Sequence, residues 1–83
     1  MDNQYIEQQE FRTCDINVAG FLLAHRVPMA GICRQQDRLV FVFTRSELCE
    51  PLVERFMVGD DNVSAKALFA AGRHLRRLVR ENL

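Results

Sequence analysis

Lys66, Arg73, Arg76, Arg77 and Arg80 recur at intervals of seven, three, one and three residues. At about 100° per residue, a helix gathers all five into an arc roughly 100° wide. Guanidinium groups held in such an arc can make bidentate contacts to phosphates or carboxylates, and each contact to a polyanion adds affinity by releasing counterions. These five residues are the candidate polyanion-binding set. The bland alternative is a solvated outer face whose arginines complement the negative end of the helix dipole. Phe69 falls at the border of the apolar stripe and is expected in the core, so no aromatic platform interleaves with the charges.

Other reactive residue types are sparse and poorly spaced for catalysis. Cys14, Cys33 and Cys49 form neither a C-x-x-C pair nor a disulfide framework, which fits a reducing, cytoplasmic setting. With His25 and His74 they also lack the short knuckle that structural zinc requires, so neither a metal nor a cofactor is expected. Cys14 would stand near a helix start beside Arg12, where a thiol can become nucleophilic, but no histidine is spaced to serve it as a base. It is expected to be buried or half-buried. The carboxylates of Glu47, Glu50 and Glu54 read as a solvated helix face, and Asp60-Asp61 as loop chemistry. No catalytic residue and no small-molecule substrate is inferred.

The elements that must position these residues follow from periodicity. A polar tail, residues 1–9, precedes a single α+β domain over 10–83. Strands are predicted near 10–13, 27–34 and 38–44, and helices near 14–25, 46–58 and 64–81. The order is thus β-α-β-β-α-α, with a small three-stranded sheet packed by three helices. The first strand can lie beside either hairpin strand, and a right-handed crossover through the first helix makes the first two strands parallel.

Local chemistry sets the boundaries. Thr13 or Asp15 can cap the first helix, which is apolar nearly all round and needs cover on more than one side; Gly20 is expected to permit a close approach there. Pro28 belongs near a strand start or on an edge. Leu39-Val40-Phe41-Val42-Phe43 is β-branched and aromatic on both faces. Thr44 and Glu47 match a capping box, yet Pro51 implies either a short turn before a helix starting at Pro51 or one helix that bends there. Gly59 supplies the stop, and Asn62 or Ser64 caps the last helix, whose Leu68, Ala71, Gly72, Leu75, Leu78 and Val79 lie opposite the basic arc.

Composition bounds the partners. In 83 residues, 48% are hydrophobic, enough to order the chain but concentrated in elements that one small sheet does not readily cover. A homodimer is therefore expected to supply the missing cover, against a monomer whose helices cover both sheet faces. Eleven basic and eleven acidic residues cancel, so nucleic-acid or acidic-protein binding must rest on charge distribution alone. No stretch reads as a membrane span or a signal peptide.

Phe11-x-Thr13-x-Asp15, then Ala19 and Leu22, then Arg38-Leu39-Val40-Phe41-Val42-Phe43, and finally Leu75-Arg76-Arg77-Leu78-Val79 give the chain its family resemblance. On these residues it resembles a family of short bacterial domains of unknown function, over roughly residues 11 to 79. Where such sequences often place a glycine after the first helix, this chain has Ala24-His25-Arg26. The resemblance implies a compact α+β domain found in bacteria and related mobile elements, and no catalytic residues.

Overall fold

A strand of alternating polarity, a helix, a hairpin and two further helices follow one another in the order the periodicity predicts. The computed structural model describes residues 9–59 and 63–82. The elements are β1 (Phe11–Thr13), α1 (Ile16–Ala24), β2 (Met29–Gln35), β3 (Arg38–Phe43), α2 (Ser46–Val58) and α3 (Ala65–Glu81). Residues 1–8 of the expected tail over 1–9, the loop expected at Asp60-Asp61 and the expected cap Asn62 lie outside the described residues.

The sheet order is β1-β3-β2, and both outer strands run antiparallel to β3. β1 and β2 therefore point the same way, with the strongest strand inserted between them, and of the two hairpin strands β1 neighbours β3. Central placement matches the composition of Leu39 to Phe43, since a middle strand is flanked on both edges. Phe41 pairs with Thr13 on one side and Ile32 on the other, and Phe43 pairs with Phe11 and Met29. The side-chain period of two sends Phe41 and Phe43 to one face and Val40 and Val42 to the other. The phenylalanines join the main core cluster with Val18, Phe21 and Leu22 of α1, Cys49 of α2 and Leu75 of α3. Val40 and Val42 are buried outside that cluster.

Gln35 pairs with Arg38, so Gln36 and Asp37 alone make the hairpin loop, with φ of 50° and 65°. Positive φ at both central positions matches the right-handed twist of the flanking strands. Pro28 precedes β2, an edge strand, and its carbonyl accepts from the Thr44 N–H at 3.1 Å. A bulge between Met29 and Gly31 then leaves Ala30 out of register.

α1 is buried at five consecutive positions, Val18, Ala19, Gly20, Phe21 and Leu22, which requires cover from more than one side. The sheet, α2 and above all α3 provide it. Gly20 does not serve the close approach expected of it: a methyl group added there would lie 3.7 Å from Leu75 Cδ1, an ordinary contact. Asp15, rather than Thr13, caps the helix by accepting from Asn17 N–H at 2.8 Å, while Thr13 Oγ1 accepts from Asp15 N–H.

α2 is one continuous helix through Pro51 and carries no capping box. Its N-cap residue is Arg45 in the left-handed region, with no side-chain cap; Thr44 Oγ1 donates toward the Pro28 carbonyl instead, and Glu47 accepts from Arg45. The link to β2 has captured the hydroxyl that would have capped. Gly59, at φ 74°, stops the helix as expected, where a side chain would be strained.

Candidate polyanion-docking face

Ser64 starts α3 by accepting from Ala67 N–H at 3.0 Å, and the helix then runs to Glu81. Ala71 and Leu75 are buried, and Leu78 and Val79 pack against the core, which fixes the rotation of the helix. That rotation turns Lys66, Arg73, Arg76, Arg77 and Arg80 to solvent, all exposed. None of the five has an ion-pair or hydrogen-bond partner among the described residues, although Arg12 pairs with Glu10 and Arg45 with Glu47. Arg73, Arg76, Arg77 and Arg80 line one open cleft of about 350 Å³. Lys66 belongs to the same exposed face but lies outside that cleft, about two turns nearer the helix start.

Phe69 is 67% exposed, contrary to its expected place in the core. Its position one turn before Arg73 puts it on the basic line itself, because Leu68 and Leu75 already occupy the inward arc. Beside it a groove of about 330 Å³ is lined by Ile16, Gly20, Phe56, Gly72 and Arg76, among others. Arg76 lies over Gly72, its nearest guanidinium nitrogen 3.5 Å from where a methyl group would sit, and so borders both the apolar groove and the basic cleft. An aromatic ring thus does interleave with the charges. The signal available in the sequence was the helical angle of Phe69, which coincides with that of Arg76 and Arg80 more closely than with that of Leu75.

The remaining reactive groups do not assemble into a second site. Cys14 is exposed rather than buried or half-buried, since it precedes the Asp15 cap and is not part of the helix. It borders an open depression with Gln35, Gln36 and Arg38, and among the described residues no histidine or carboxylate lines that depression. Cys49 is fully buried; burial and the neighbouring Glu47 and Glu50 push its thiol above the usual range, and its Sγ lies 3.8 Å from the Thr44 carbonyl. His25 caps the end of α1 with its ring 4.6 Å from that of Phe21. Among the described residues no group of three or more His, Cys, Asp or Glu is placed to hold a metal ion, and no helix is long and apolar enough to cross a membrane.

Glu47, Glu50 and Glu54 lie together on α2, around Pro51. Arg45 beside Glu47 holds that carboxyl below its usual range. An acidic line on α2 and a basic arc on α3 thus stand on two different helices of a chain whose charges cancel. No protein-family model, curated protein or solved structure matches the chain.

Proposed function

We propose that the chain is a small, non-enzymatic, cytoplasmic binding module whose α3 face docks an anionic partner, either nucleic acid or an acidic protein surface. Membership in the family of short bacterial domains belongs to the same proposal. The observation that carries it is that Lys66, Arg73, Arg76, Arg77 and Arg80 share one exposed face without an ion-pair or hydrogen-bond partner among the described residues. A fold that used these charges for its own stability would pair them; a docking face leaves them available. Phe69 and its groove support a partner that offers an apolar group beside its negative charge.

A second reading, a structural or adaptor protein that works through an apolar self-association surface, draws on Leu48, Met57, Val58 and Phe69, all exposed. Fluorescence anisotropy separates the two. Labelled single- and double-stranded oligonucleotides and an acidic helical peptide are titrated with the wild-type chain and with Arg73→Glu/Arg77→Glu. The docking face predicts that the double reversal loses at least about tenfold in affinity for whichever anion binds. Equal binding by both chains would leave only the apolar reading.

A further inference from the structure

α2 and α3 present opposite charges with matching intervals. Along the outer line of α2, Glu47, Glu50, Glu54 and Val58 are separated by three, four and four residues. Reading α3 backwards, Arg80, Arg77, Arg73 and Phe69 are separated by three, four and four. All eight residues are exposed, and each line is about 16 Å long. Both lines end on a large apolar residue, Val58 at 74% and Phe69 at 67% exposure.

We infer that the anionic partner of the α3 face is α2 of a second copy of this chain, laid antiparallel along it. Glu47 then meets Arg80, Glu50 meets Arg77, Glu54 meets Arg73, and Val58 covers Phe69. The inference rests on the docking face proposed above and names its partner. A parallel arrangement would still pair Glu50 with Arg73 and Glu54 with Arg77 but would set Glu47 against Phe69 and Val58 against Arg80, so the two end pairs select the direction. The charge pattern selects the pair of faces, because α2 against α2 or α3 against α3 brings like charges together.

The contributions are unequal. Glu47 is already bonded to its own Arg45 at 2.9 Å, which leaves Glu50 and Glu54 as the principal acidic contacts. Arg55 and Glu81 flank the two lines and do not interrupt them. The groove beside Phe69 seats the apolar end of the incoming α2, where Met57 is 72% exposed in the single chain. Exposed ion pairs are individually weak and screened by salt, so the association is modest and salt-sensitive.

Sedimentation equilibrium of the full chain tests this at low and high salt. The wild type should exceed the monomer mass at low salt and dissociate as salt rises. Glu50→Arg/Glu54→Arg and, separately, Arg73→Glu/Arg77→Glu should each weaken self-association at least about tenfold. An equimolar mixture of the two reversed chains should associate again, and so should one chain carrying all four changes, which a misfolded variant cannot do. A strictly monomeric wild type, or a fourfold variant that stays dissociated, overturns the inference. If that monomeric wild type still binds an oligonucleotide and Arg73→Glu/Arg77→Glu does not, the docking face survives with a different partner; if it binds no polyanion, both readings fall.

Discussion

α1 and α3 lie against each other, yet they are built to opposite rules. α1 buries five residues in succession and carries no charged side chain over Ile16–Ala24. α3 buries Ala71 and Leu75 and leaves its outer arc to arginine. The shared contact, Leu75 beside Gly20, belongs to the core; the cations on the far side of α3 have no ion-pair or hydrogen-bond partner among the described residues. The lesson is that one side of the helix carries the fold while the other is exposed and basic, so the proposed docking can be altered without the fold.

The largest expected effect comes from breaking the shared side. Leu75 is fully buried, and Leu75→Ala should cost about 2–5 kcal/mol, through lost transfer energy and the cavity left behind. That is a large part of the stability of a domain this small. Arg77→Ala, on the far side, should change the unfolding free energy read from chemical denaturation by no more than about 0.5 kcal/mol. Comparable losses for both variants would mean that the outer face helps hold the fold.

Gly20→Ala sharpens the comparison in the other direction. Because a methyl group there meets only Leu75 Cδ1 at 3.7 Å, the helical propensity of alanine should raise thermal stability by up to about 1 kcal/mol. A destabilised variant would show that α1 and α3 are packed more tightly than this distance implies.

How far the chain could be read before its fold was seen differs by region. The six elements were legible because their apolar periods are strong and their ends carry Asp15, Gly59 and Ser64. The arc of cations was legible for the same reason, as it follows once Leu75, Leu78 and Val79 face inward. Less legible was whatever depends on a distant partner. The Thr44 hydroxyl is drawn to Pro28, sixteen residues away, so the capping box never forms. Cys14 is exposed because the chain turns at Asp15 and not one residue earlier. Phe69 is exposed because its helical angle falls between those of Arg76 and Arg80, where apolar character alone gives no signal. The place of β1 beside β3 rests on pairing across about thirty residues, for which no local pattern exists.

Two smaller effects probe the sheet and α2. Gln36 holds a positive φ of 50°, so Gln36→Gly should stabilise by about 0.5 kcal/mol, relief of left-handed strain exceeding the entropy glycine loses on folding. A lower melting temperature would count against the hairpin geometry. The Cys49 thiol, raised by burial and by Glu47 and Glu50, keeps its proton in the folded chain after the unfolded chain has lost it. Stability should therefore be full below the ordinary thiol range and decline as pH rises through it, and Cys49→Ala should remove that decline. A thiol reagent at neutral pH should correspondingly label exposed Cys14 before buried Cys49.

The central claim, that the outer guanidiniums of α3 are unspent and available to an anion, is tested most directly by the salt dependence of docking. Affinity of the wild-type chain for its anionic partner, whether a second copy, an acidic peptide or an oligonucleotide, is measured across a series of salt concentrations beside that of Arg73→Glu/Arg77→Glu. A steady fall in wild-type affinity with salt, flattened in the variant, is the predicted result. Binding that ignores salt, or that the two reversals leave intact, would contradict it.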